Sequence, residues 1–281
     1  MEDIDLKIKS LWIGKELSPI ELLSINSYLQ NGHVLELYVY DRVGNIPQGV
    51  ELKDAEQIIP KSEVFSITLG KHKNTFSMFS NYFRYTLLYE LGGWWSDLDI
   101  VCLKHYDFKQ EYVFSRERTR DQKETVGSGI FKCPKSSQVM KYCKEAAQGM
   151  FLNKEELFWG KAGPILLNDA VTLHNLRDYS VPPDCFSPLG YFEIYKIFSE
   201  IKLPETSYAL HVYNSSWMVQ KYPRYGFFKI NSLFEVLKRR YGVKNNLLGF
   251  VRELINDMKN NDLHSGFDTV KKKIRYGYHL L

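Results

Sequence analysis

The stretch Gly92-Gly93-Trp94-Trp95-Ser96-Asp97-Leu98-Asp99-Ile100-Val101-Cys102-Leu103 restricts the possible folds of this chain more than any other. Upstream of it, Phe76, Phe79, Phe83, Leu87 and Leu91 share one helical stripe, and Ser80, Arg84 and Leu88 share another. The spacing predicts a helix over 76–91, stopped by the glycine pair. Two tryptophans, two carboxylates at i and i+2, and a short apolar run follow. An arginine within so apolar a helix needs an anionic partner, because Arg is almost never buried unpaired. Asn81 lies three residues before Arg84 and shares its face.

The preceding segments predict a parallel α/β frame. Residues 6–13 read as a buried strand ending at Gly14. Ser18 as N-cap, Pro19 at the first helical position and Glu21 at the third open a helix that runs to about Leu29. Residues 34–40 form a second strand, and strand, helix and strand in such close succession are a parallel βαβ unit. Further on, Tyr112–Ser115 reads as a short strand, Arg116–Thr125 as a charged loop, and Val126–Phe131 as a strand whose glycines allow close backbone approach. Helices are predicted over 136–148 and 164–176, and a late strand over 208–213. From Asn231 onward three amphipathic helices follow, over 232–241, 246–259 and about 267–276.

At 281 residues the chain has room for one full domain, or one domain with an appendage. Charge is unevenly placed: residues 221–281 carry 13 Lys and Arg against 5 Asp and Glu, although the whole chain is only +4. An acidic body with a basic end suits contact between that end and an anionic surface. The cysteines, at 102, 133, 143 and 185, show neither metal-finger nor paired spacing, which favours a reducing compartment. An acidic start, Met1-Glu2-Asp3-Ile4-Asp5, does not suit a secretory leader, and no apolar run approaches the roughly 20 residues that cross a bilayer. A cytoplasmic protein, peripheral at most at the inner face of the membrane, is expected. No GxxxxGK[ST] or GxGxxG follows a predicted strand, which argues against P-loop kinases and Rossmann dehydrogenases. Only the basic tail would favour nucleic acid, and no nucleic-acid partner is expected.

Two acids at i and i+2 share a face of an extended chain, so Asp97 and Asp99 can face one divalent cation. A hard cation held by carboxylates and by two phosphates would neutralise the charge that grows on a departing nucleoside diphosphate. An Asp-x-Asp alone occurs by chance in many proteins; its surroundings carry the inference. The run Ser80-Asn81-Tyr82-Phe83-Arg84-Tyr85, Leu87-Leu88-Tyr89, Gly92-Gly93-Trp94-Trp95, Asp97 and Asp99 resembles the signature of the DXD sugar transferases. These are the family thirty-two type, with capsule, O-antigen and fungal mannosyltransferase members and a related core in clostridial glucosylating toxins. Lys9–Gly14, Gly127–Phe131, Trp159–Leu167 and His211–Trp217 resemble further family segments, so that about residues 8–240 are covered.

The resemblance implies a GT-A type α/β fold, with a mainly parallel central sheet flanked by helices over 1–230 and a basic helical C-terminal extension over 231–281. It implies a metal-dependent, retaining glycosyltransferase using Mn²⁺ or Mg²⁺ and moving a hexose from a nucleotide sugar, with UDP as the expected carrier. The acceptor would be a saccharide, lipid-linked in the fullest version of the reading, in capsule or O-antigen synthesis. Asp97 and Asp99 would be metal and ribose contacts, and His211 and Asn214 would complete the metal shell. Arg84 would approach the donor sugar or diphosphate with Asn81 beside it, where many members carry Asp. Trp217 would cover the β-phosphate or pack beneath a closing loop, and Trp12 would meet the nucleobase. Two other readings stay open at this point: a toxin-like transferase that glycosylates protein, and a non-catalytic sugar-nucleotide-binding protein. The intact carboxylate pair argues against the last.

Overall fold

The computed structural model describes residues 7–67, 75–152, 160–260 and 268–274. Met1–Asp5, Trp159, and Arg275 and Tyr276 of the basic tail lie outside the described residues.

The predicted βαβ unit is present. Strand β1 (Lys7–Trp12) pairs in parallel with β2 (Val34–Val39) across helix α1 (Pro19–Gln30), and β3 (Glu51–Asp54) adds to β2. The start of α1 is a full capping box: Glu21 Oε2 accepts from the Ser18 N–H at 2.7 Å, and Ser18 Oγ accepts from Ile20. Helix α2 (Ser77–Leu91) ends at Gly92, with φ of +67°. A Cβ there would lie 2.5 Å from the backbone nitrogen of Lys135, so only glycine allows the chain to leave the helix on this course.

Strand β4 (Gly93–Ser96) then enters the sheet beside β1. Its alternation sends Trp94 and Trp95 to opposite faces, and both are fully buried. Trp95 packs with Phe83, Phe131 and Leu167 in the core that also buries helices α3 (Gln138–Leu152) and α4 (Leu166–Leu173). Trp94 packs with Ile8, Tyr28, Leu35 and Phe186 on the other face. Each tryptophan anchors one layer.

Strand β5 (Ile100–Cys102) leaves the main sheet. The chain returns through β6 (Val113–Arg118) and β7 (Glu124–Cys133), which pair with each other and, through β7, with β4. With β8 (Ser180–Val181) at the edge, the order is β3-β2-β1-β4-β7-β6-β8, parallel apart from the pairings of β7. The mainly parallel α/β sheet flanked by helices that the sequence predicts is observed. The charged loop expected over 116–125 is instead mostly a hairpin, because alternate side chains of Arg116, Glu117 and Arg118 face opposite ways and find separate partners: Glu124 for Arg116, Asp184 for Arg118 and His211 for Glu117.

After the short helix α5 (Pro183–Phe186), β9 (Ala209–His211) pairs antiparallel with β5 in a second, two-stranded sheet. Helix α6 (Asn214–Gln220) follows at once. Helix α7 (Leu233–Arg240) lies within the extension expected from residue 231. It buries Phe234 and Leu237 in the core that also holds Ile20 and Leu23 of α1, Val101 and Trp217. Helix α8 (Leu247–Asn260) and the helical residues 268–274 lie beyond it. All four cysteines are buried and free, and burial raises each thiol well above its ordinary range.

Candidate active site

The second sheet assembles the site. Its register sets His211 opposite Ile100, and the Val212 N–H donates to the Asp99 carbonyl at 2.9 Å. Residues 211–214 are thereby brought beside Asp99 from more than a hundred positions away. Asp97, Leu98 and Asp99 do not continue a strand, as the i, i+2 spacing predicts they would. They form the turn between the two sheets, closed by Ile100 N–H to Asp97 O at 3.2 Å. The two carboxylates face one cavity because the chain turns there, and the change of sheet is what requires the turn.

That cavity has a volume of about 510 Å³ and is lined by Trp12, Asn81, Arg84, Asp97, Asp99, His211 and Asn214 among others. Of the predicted site residues, Trp217 alone is not in its wall. Trp217 is fully buried, with Phe234 at 4.9 Å, Phe198 at 5.0 Å and Phe228 at 5.9 Å between ring centroids. Its surroundings are those of a core residue.

Arg84 finds the anionic partner its burial demands in Asp97. Nη2 pairs with Asp97 Oδ1 at 2.9 Å, Nη1 reaches Asp97 Oδ2 at 3.3 Å, and the Ser128 carbonyl accepts from Nη1. Ser80 takes the remaining donors through its carbonyl and hydroxyl, and the guanidinium lies over the Trp95 ring at 4.9 Å. The Trp95 indole N–H donates to the same Asp97 Oδ1 at 3.0 Å. Arg84, expected to reach toward the donor, has its hydrogen bonds directed to the protein and fixes Asp97.

Asp99 is held differently. Its Oδ2 accepts from the Asn214 backbone N–H at 2.8 Å, and its Oδ1 lies 3.4 Å from His211 Nε2 without a hydrogen bond. The other ring nitrogen of His211 faces Glu117 Oε1 at 3.2 Å, and the ring stacks on Tyr213 at 3.7 Å. A Cβ on Gly129 would come within 3.0 Å of His211 Cε1, so the absence of a side chain there makes room for the imidazole.

These contacts set the charges. Burial by itself would lower His211, but Asp99 and then Glu117 outweigh it and push the imidazole up to about 10. Burial would likewise raise Asp99, yet the His211 charge beside it, with the Asn214 amide, holds it below its usual value. At Asp97 burial prevails over Arg84 and the carboxyl rises to about 6.

Glu117, Glu21 and Arg224 also line the cavity and do not stand out as site residues in the sequence. Glu21 reads there only as a helix cap, and Glu117 as one acid in a charged loop. The alternation Arg116-Glu117-Arg118, read with a period of two, is the local signal that singles out Glu117. Arg224 has no such signal.

Residues 27–118 match the family model described as a glycosyltransferase sugar-binding region containing a DXD motif. The match runs from α1 to β6 and takes in Asn81, Arg84, Asp97, Asp99 and Glu117. No curated protein sequence matches the chain. Among solved structures, one titled PaToxG Glycosyltransferase is similar over 60% of this chain and 69% of that one, with 17% identity and a TM-score of 0.45. The DXD pair stands at the turn between the mainly parallel sheet and its small second sheet, and the family model runs through that turn, so residues 27–118 of the chain are similar to the sugar-binding region of DXD-containing glycosyltransferases.

Proposed function

We propose that the chain is a metal-dependent, retaining hexosyltransferase that takes a hexose from a nucleotide sugar, UDP-linked, and passes it to a saccharide acceptor of a surface polysaccharide. The observation that carries this reading is the convergence on one cavity wall of the Asp99 carboxylate, whose Oδ1 has no hydrogen bond and only a 3.4 Å ion pair with His211, and of Asn214 Oδ1, a buried oxygen with no partner. Unsatisfied buried acceptors are costly and call for a ligand that supplies the missing positive partner. Hard oxygen donors suit Mn²⁺ or Mg²⁺, and His211 would join them only as the neutral imidazole, giving up its ion pair with Asp99. Among the described residues no group of three or more His, Cys, Asp or Glu side chains is placed to hold a metal ion by itself. Few protein oxygens, completed by substrate phosphates, is how such cations are commonly held at diphosphates.

When bound, the cation would neutralise charge developing on the diphosphate as the glycosidic bond breaks. The chain's own residues do the rest. Arg84 and Trp95 fix Asp97, and Glu117 fixes the His211 ring so that Nε2 faces Asp99 Oδ1 at 3.4 Å. The Trp12 indole N–H, buried in the cavity wall without an acceptor, is suited to a nucleobase carbonyl. Asn81, in the same wall, is suited to a sugar hydroxyl. On the front-face route the C1–O bond to phosphate breaks, the acceptor oxygen bonds to C1 on the same side, and its proton passes to the leaving phosphate.

The test is a panel of UDP-, GDP- and ADP-hexoses with Mn²⁺, followed by proton NMR of the anomeric signal. Release of the sugar with its donor configuration is expected for at least one donor. An inverted first product would end the retaining mechanism, and no turnover of any donor would end the nucleotide-sugar reading.

A lipid-linked acceptor at the inner face of the membrane is part of the same proposal. On α8, Leu248, Val251, Ile255 and Met258 are exposed apolar side chains at helical spacing, and Lys271 and Lys272 are exposed on 268–274. An apolar ridge with nearby lysines suits an anionic lipid surface. Among the described residues no helix is long and apolar enough to cross a membrane. Flotation with vesicles containing phosphatidylserine is expected to carry the protein at low salt and to fail after Lys271→Glu with Lys272→Glu. Wild-type protein left at the bottom of the gradient would remove the membrane contact.

A further inference from the structure

We propose that Arg224 is the protein cation that grips the donor diphosphate, an inference that rests on the nucleotide-sugar reading above. The cavity is lined by four carboxylates, those of Glu21, Asp97, Asp99 and Glu117, so an entering diphosphate meets a wall of like charge. Three cationic side chains line the same cavity. Arg84 is committed to Asp97, Ser80 and Ser128, and His211 lies between Asp99 and Glu117. Arg224 is the remaining one. Its Nη2 pairs with Glu21 Oε1, while its Nε is buried and has no acceptor. A guanidinium stays charged at any working pH, and its planar fork suits phosphate oxygens better than an ammonium does.

Its position relative to the DXD turn follows from a shared oxygen. Glu21 Oε1 also accepts from Asn214 Nδ2 at 3.1 Å, and the Asn214 backbone N–H is the donor to Asp99 Oδ2. Arg224, Asn214 and Asp99 are therefore consecutive along one wall. The unpartnered Asn214 Oδ1 and Arg224 Nε thus belong to one stretch of the cavity wall, and a diphosphate held there would be faced by this guanidinium.

The C-terminal helices hold Arg224 in place. Glu253 of α8 accepts from the backbone N–H of Arg224 at 3.1 Å and of Tyr225 at 3.2 Å. Lys273 in turn pairs with Glu253 at 2.7 Å and with Asp257 at 2.8 Å. The basic end of the chain thus reaches the cavity through one carboxylate, a link that gives α8 a part in donor binding.

The experiment is calorimetric titration of UDP, GDP and ADP, and of uridine, guanosine and adenosine, into the full chain with Mn²⁺. Wild type is expected to bind one diphosphate more tightly than its nucleoside. Removing Arg224 alone would leave Glu21 buried and unpaired, so two variants that avoid this are used. The double variant Glu21→Gln with Arg224→Met leaves no buried charge, and Gln still serves the capping box. It is expected to lose about 10- to 100-fold in diphosphate affinity with nucleoside affinity unchanged. Arg224→Lys keeps the pair with Glu21 and is expected to lose about tenfold, for want of the fork. If wild type prefers a diphosphate and either folded variant keeps that whole preference, the assignment of Arg224 is wrong while the donor reading stands. If wild type shows no such preference for any of the three, the donor reading fails and Arg224 falls with it.

Discussion

Asp99→Asn should lower sugar transfer by roughly a thousandfold, the rate equivalent of the several kcal/mol that a bound divalent cation contributes to charge stabilisation. The substitution keeps the shape of the side chain and an oxygen for the Asn214 N–H, so the turn between the sheets should survive. What it removes is the negative charge in the cavity, together with the ion pair of Oδ1 with His211. Initial rates at saturating donor measure the effect, with the melting temperature as the control for fold. Activity within tenfold of wild type, in a protein that melts normally, would show that Asp99 is not where the diphosphate is neutralised. Asp97 is a less clean target, because Arg84, buried against it, stays charged and would lose its counter-charge, whereas His211 beside Asp99 can release its proton.

Trp217→Ala should act on stability. The ring is fully buried among Phe198, Phe228 and Phe234, and deleting it leaves a cavity between α6, α7 and the second sheet. Truncation of a buried Trp costs about 3–5 kcal/mol. For a chain of this size that corresponds to a fall in melting temperature on the order of 10 °C. Nucleotide affinity of the folded variant should be unchanged, since Trp217 is absent from the cavity wall. A variant that melts like wild type but no longer binds nucleotide would restore the expected contact with the β-phosphate.

Trp217 also shows where reading the sequence reached its limit. The run His211–Trp217 is contiguous, so family resemblance draws all of it toward the site. In the structure β9 gives way to α6 after Tyr213, whose φ is +49°, and the helix carries Trp217 inward while Asn214 stays at the cavity. A change of secondary structure inside a motif divides its roles, and spacing alone does not reveal the change.

What was legible was local. The capping box of α1, the stripe of α2 and its stop at Gly92 depend on neighbours within a few residues, and each is found as read. The DXD pair was recognised from its flanks, though its geometry is a turn. Glu117 and Arg224 depend on pairings between distant segments: the β6–β7 hairpin facing β9, and the loop after α6 tied to Glu253 on α8. A charged residue in a polar stretch looks the same whether it meets water or a buried histidine, and the difference lies in contacts about 94 and 29 positions away along the chain.

The central claim is that cation and diphosphate are held together, each completing the site for the other. Electron paramagnetic resonance of Mn²⁺ titrated into the protein, with and without UDP, GDP or ADP, tests it directly. Weak Mn²⁺ binding is expected for the protein alone, strong binding once a diphosphate is present, and loss of that gain in Asp99→Asn. Equal Mn²⁺ binding with and without every diphosphate, or a gain that survives Asp99→Asn, would contradict it.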